Sequence, residues 1–144
     1  MKERSCGAVI FRREEGEIKV LLLFRKAHDH FKALWDCPRG QVEAGEEEQE
    51  TAAREIQEET GLTDVNFLPN FREKISWFYT KEKKRVFKEA IYYCVETTEE
   101  EIRISEEHQD YKWVTIPEAL KLVQFKNTKS VLEKAATYLK VTPK

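Results

Sequence analysis

Glu55, Glu58 and Glu59 stand at i, i+3 and i+4 within GQVEAGEEEQETAAREIQEETGL, residues 40–62. On an α-helix such positions are neighbours, so the three carboxylates share one arc. Like charges that close repel and raise one another's pKa values. A helix face built only for solubility would interleave lysine at i+4, and this one carries none. A divalent cation reverses the balance by favouring the ionised forms. Carboxylate ligands without His or Cys point to Mg²⁺, with Mn²⁺ as a possible substitute. The competing reading is a solvated acidic face with no chemistry.

The wider spacing decides between them. Gly40 is followed by five residues, Glu46, seven residues, and then Arg54-Glu55-Ile56-x-Glu58-Glu59-x-Gly61-Leu62. A chance match to so many constraints is on the order of 10⁻⁷ or lower per start position. The pattern resembles the box of the Nudix hydrolases, which cleave a nucleoside diphosphate linked to another group. The resemblance implies an α/β chain folded as an α/β/α sandwich with a mixed β-sheet, the box forming a loop–helix–loop. It implies Glu55, Glu58 and Glu59 as metal ligands and Arg54 as the salt-bridge partner that orients them. Gly40 would present a backbone carbonyl to a metal, Glu46 would brace the loop, and Gly61 would end the helix. The chemistry agrees with the residue types. Mg²⁺ neutralises phosphate oxygens and acidifies a bound water, and a carboxylate not fully engaged with metal can take the proton. Which glutamate serves as that base stays open. Glu43, Glu47, Glu48 and Glu50 fall on the pattern's free positions and need no special role.

Three further stretches resemble one branch of the family, the asymmetrical diadenosine tetraphosphate hydrolases: RSCGAVIFRR, EIRISEEHQDYKWV and ALKLVQFKNTK. With the box, the resemblance covers most of the chain. It implies Glu107 as a further catalytic and metal-binding carboxylate, with Glu106 competing for that role. His108 is either a phosphate contact or a locally satisfied loop histidine. Phe125 would stack on an adenine or belong to the core, and Trp77 and Tyr79, which share a strand face, would complete a base slot or merely pack. Arg39, Arg85, Lys88 and Lys126 are the basic residues placed around a polyphosphate. Arg39 stands where that branch usually has lysine, and Asp36-Cys37 stand where it often has Thr-Pro. Trp35 and Trp113 read as structural. The implied reaction is cleavage of diadenosine tetraphosphate to ATP and AMP. The alternatives are a Nudix pyrophosphohydrolase acting on (d)NTPs or the 5′ end of RNA, and a non-catalytic nucleotide sensor. The sensor reading is disfavoured because every box glutamate is kept.

These residues need elements to hold them. Residues 5–13 and 18–26 read as strands around a turn at EEGE, and LWDCPRGQVE as an extended segment bent at Pro38 and Gly40. A helix is expected over 47–60, with Ala52, Ala53, Ile56 and Thr60 inward and Gly61 as its left-handed C′ residue. Strands follow near 71–80 and 85–96, then a short one at 110–114. Pro117 suits the first turn of a helix over 116–123, and residues 128–140 form an amphipathic helix. Strands interleaved with three helices predict a mixed sheet covered on both faces, in one domain spanning 1–144.

Bulk composition narrows the partners. Charged residues make up 36% yet the net charge is only −2, so nothing calls for a nucleic acid or a membrane. Cys6, Cys37 and Cys94 are odd in number and far apart, which reads as reduced thiols in a cytoplasmic protein. No secretory leader is expected in MKERSCGAVIFRREEG. The expected partner is a small nucleotide substrate.

Overall fold

The computed structural model describes residues 2–27 and 32–141. Its elements in chain order are β1 (Lys2–Glu14), β2 (Glu17–Arg25), β3 (Leu34–Asp36), β4 (Arg39–Gln41), α1 (Glu48–Thr60), β5 (Val65–Phe67) and β6 (Glu73–Lys81). β7 (Lys84–Thr97), β8 (His108–Thr115), α2 (Ile116–Leu122) and α3 (Lys126–Leu139) complete them. The strands form one mixed sheet with the path β3-β2-β1-β7-β5. β4 pairs with β1, β6 with β7 and β8 with β2. β1 and β7 run parallel, from Lys2 opposite Phe87 to Phe11 opposite Glu96, and the other pairings are antiparallel.

Strand alternation sends successive side chains to opposite faces, and each face is covered. Cys6, Ala8, Ile10, Leu21, Leu23, Ile91 and Val95 pack with Ala52, Ile56 and Leu62 on the α1 side. Val9, Phe11, Val20, Leu22, Tyr92 and Cys94 pack with Ile116, Ala119, Leu132 and Ala135 on the α2–α3 side. Burying a side chain such as Ile56 or Leu132 contributes about 1.5–3 kcal/mol. The predicted α/β sandwich with a mixed sheet is therefore the fold observed.

The helix boundaries follow from local chemistry. Glu47 and Glu50 form a reciprocal capping box at the start of α1, and Gly61 at φ 77° ends it. Thr115 and Glu118 do the same for α2, with Pro117 in its first turn. Two differences from the sequence reading matter. LWDCPRGQVE divides into β3 and β4, which pair with different strands, β2 and β1. The short β5 lacked enough alternation to be seen, and is held against the end of β7. The three cysteines are buried and free, and burial pushes the Cys6 thiol up to about 11, so it stays protonated. Among the described residues no helix is long and apolar enough to cross a membrane.

Candidate active site

The close approach of β4 to both β1 and α1 shapes the site. Gly7 lies opposite Arg39, and a Cβ there would fall 2.2 Å from the Pro38 carbonyl oxygen. That carbonyl accepts the Ala8 N–H at 3.1 Å. A Cβ on Gly40 would sit 1.9 Å from Cδ of Glu55. Only a residue without a side chain lets the β4 backbone lie against that carboxylate.

Arg54 organises the loop and helix around it. Its Nε donates to Glu46 at 2.6 Å, and its Nη1 donates to Glu55 at 2.6 Å and Glu58 at 2.9 Å. Its Nη2 donates to the Gln41 carbonyl at 2.9 Å. The planar fork can serve all four at once, which an ammonium could not. Glu46 also accepts the Glu43 N–H and the Thr51 hydroxyl, and with Arg54 as the main cause its pKa is drawn down to about 2. These contacts match a loop brace.

A cleft of about 270 Å³ lies beside this network. Glu55, Glu59 and Glu107 line it together with Arg25, Arg39 and Lys88. Glu59 is 4% exposed, and its Oε1 is buried without a hydrogen-bond partner. Burial is the main cause that raises its pKa to about 8, with Glu55 and Glu107 adding repulsion, while Arg25 pulls the other way. Burial likewise raises Glu55. A buried carboxylate oxygen with no donor is costly, and a cation is the partner it lacks. The donor set therefore fits a divalent metal. Among the described residues no three acidic, His or Cys groups already converge as a metal cage. Glu58 accepts from Arg54 and does not line the cleft.

Glu107 lines the cleft and Glu106 of the same turn does not, which separates those two candidates. Arg39 and Lys88 are both there and largely buried. Lys88 sits 3.5 Å from Glu3, which also accepts the Tyr79 hydroxyl. The Arg39 guanidinium lies 5.5 Å from the Trp77 ring centroid, and Trp77 meets Phe125 edge-on at 5.1 Å. Trp77, Phe125 and Arg39 are thus brought together next to the cleft.

Three candidates fall elsewhere. Arg85 is exposed, with its guanidinium 4.3 Å above the Phe78 ring. It lies three positions from Lys88 on one strand, and that odd spacing turns the two to opposite sheet faces. His108 is buried and shares a 3.1 Å hydrogen bond with Ser105 through Nδ1. Burial, aided by Arg25, pushes its pKa down to about 4, so it is neutral near pH 7 and locally satisfied. Lys126 is exposed at the start of α3 and does not line the cleft.

Ser5, Arg25 and Gln41 line the cleft without having been singled out. Arg25 arrives through its pairing with His108, beside Glu107, and only knowledge of the β2–β8 register would have revealed it. Glu48 also has more to do than its free position suggested. It receives Arg72 at 2.8 Å and Tyr93 at 2.6 Å, and contacts Arg4. A wider depression beside α3, lined by Phe71, Glu73, Lys134 and Tyr138, holds one ion pair and none of the groups above.

A fold of this kind with this loop and helix defines a protein class. The family model of the NUDIX domain matches residues 1–135, and the chain belongs to that family, whose activity is hydrolysis of nucleotide substrates. Over 153 aligned residues it is 36% identical to the asymmetrical bis(5′-nucleosyl)-tetraphosphatase of Mus musculus, covering 99% of each chain. The Caenorhabditis elegans protein of the same name is 30% identical over 140 residues, covering 96% of this chain and 98% of its own. A crystal structure of a C. elegans Ap4A hydrolase binary complex aligns with a TM-score of 0.78 at 28% identity, over 96% of this chain and 98% of that one.

Proposed function

We propose that this protein hydrolyses dinucleoside polyphosphates, cleaving diadenosine tetraphosphate asymmetrically to ATP and AMP. The observation that carries the reading is the composition of one cleft. Three carboxylates and three cations line it, and the Trp77–Phe125 pair adjoins it through Arg39. The full-length similarity to the asymmetrical hydrolases supports the choice of substrate.

Glu55, Glu58, Glu59 and Glu107, with the Gly40 carbonyl, are the groups that would hold Mg²⁺, or Mn²⁺ in its place. When bound, the ion neutralises phosphate oxygens and acidifies water. Arg54 keeps the box carboxylates oriented, as its hydrogen bonds to Glu46, Glu55 and Glu58 indicate. Arg39 and Lys88 bind the phosphate chain and compensate its charge. Trp77 and Phe125 stack with a base. A box glutamate takes the proton from the attacking water. The water oxygen bonds to phosphorus and the anhydride bond next to one AMP unit breaks, giving ATP and AMP.

Incubation with diadenosine tetraphosphate and Mg²⁺, with products resolved by chromatography, tests this. ATP and AMP in equal amounts are expected. Two ADP, or turnover unaffected by chelation, overturns it. A kcat/KM for (d)NTPs or 5′-triphosphate RNA above that for the dinucleotide moves the assignment to another Nudix substrate.

A further inference from the structure

Asp36, at the end of β3, is 6% exposed, and its two carboxylate oxygens do different things. Oδ1 accepts the Cys37 N–H at 2.8 Å and the Thr128 hydroxyl at 2.9 Å, and Thr128 lies in the first turn of α3. Oδ2 accepts Nη1 of Arg39 at 2.7 Å. The same Nη1 donates to the Tyr92 hydroxyl at 3.1 Å. Fixing Nη1 at two points fixes the plane of the guanidinium, which lies beside Trp77. Trp77 meets Phe125, and Phe125 is the N-cap residue of the same α3 that Thr128 ties to Asp36. The contacts form a closed ring from Asp36 through Arg39, Trp77, Phe125 and Thr128 back to Asp36.

We propose that Asp36 is a positioning residue that aims Arg39 at the phosphate chain. The proposal rests on the reading that Arg39 contacts polyphosphate. Asp36 and Arg39 are two of the positions where this chain departs from the branch it resembles, and the structure makes them one buried ion pair. An arginine left without its carboxylate would keep its charge but lose its direction. A misaimed guanidinium loses the geometry that makes its charge-assisted hydrogen bonds to phosphate strong, which weakens binding.

The test is KM and kcat for diadenosine tetraphosphate in Asp36→Asn, Arg39→Ala, the double variant and Thr128→Val. Asparagine keeps an oxygen for Cys37 and Thr128 but removes the charge that meets Arg39. Asp36→Asn is expected to raise KM about tenfold, the usual cost of a lost charged hydrogen bond, with kcat changed by less than about threefold. In the Arg39→Ala background the same change is expected to add almost nothing, and Thr128→Val to leave KM near wild type. Wild-type KM in Asp36→Asn beside a raised KM in Arg39→Ala overturns the positioning role alone. So does an undiminished effect in the Arg39→Ala background, or the same KM rise from Thr128→Val. Wild-type KM in Arg39→Ala overturns the phosphate role of Arg39 and this proposal with it. If Asp36→Asn does not fold, Asp36→Thr, which keeps a hydroxyl without charge, replaces it with the same expected and overturning results.

Discussion

Glu46, Arg54, Glu55, Glu58 and Glu59 come from one loop and helix, whereas Arg25, Arg39, Trp77 and Lys88 come from four different strands and Phe125 from the residue that precedes α3. The box carboxylates are set by spacing along the chain, and one guanidinium ties Glu46, Glu55 and Glu58 together, while Glu107 reaches the cleft from a distant turn. The basic and aromatic side exists only after strand pairing and helix docking have brought distant segments together. The box is thus written locally, and the rest of the cleft is written in tertiary packing.

The largest break in this comparison comes from the acidic side. Glu58→Gln is expected to lower kcat roughly 10³-fold, as for loss of a carboxylate that would hold the metal or take the proton, while the thermal midpoint moves little. Steady-state kinetics beside a melting curve checks it, and an unchanged rate would remove Glu58 from the chemistry. Gly40→Ala comes next. Its Cβ would collide with the Glu55 carboxylate, so strand or side chain must move, and activity is expected to fall about 100-fold. Circular dichroism separates that outcome from global unfolding.

The substrate side is expected to respond in KM. Trp77→Ala removes the ring between Arg39 and Phe125 and is expected to raise KM about tenfold, with kcat close to wild type. A fall in kcat with constant KM would show that the pair only supports the fold. The smallest effect is on stability. Arg72, with Tyr93 and Arg4, holds the Glu48 pKa down to about 2 from 4.5. A depressed carboxylate stabilises the fold above its unfolded value, and that contribution is lost as the pH falls from 4.5 towards 2. Glu48→Gln is expected to flatten this dependence and cost about 1–2 kcal/mol near neutral pH, after allowance for solvent screening. Urea denaturation at several pH values measures it, with turnover near neutral pH unchanged.

The same contrast explains what could be read before the fold was known. The box residues were legible because a helix converts sequence spacing directly into spatial proximity. Glu59, unlike Glu55 and Glu58, is buried, because the arc facing the sheet runs through Ile56 and Thr60 and takes in position 59 beside them. Arg85 and Lys88 looked alike as cations near a hairpin, and strand parity separated them. Arg25 drew no role and Asp36 was legible only as a departure from the branch, because their importance depends on partners, His108 and Thr128, that lie far along the chain. Their residue types alone carried no signal.

The parallel pairing of β1 with β7 has a consequence for synthesis. β1 leaves the ribosome well before β7, so Lys2–Phe11 must wait for Phe87–Glu96 before that edge is covered. The hairpin with β2 can form early, but closing the longer loop is slower and leaves Val9, Ile10 and Phe11 without their full surroundings in the meantime. A chain interrupted before β7 would carry the complete acidic box on a sheet that lacks its β7 strand. It would also expose an apolar strand open to association with other chains.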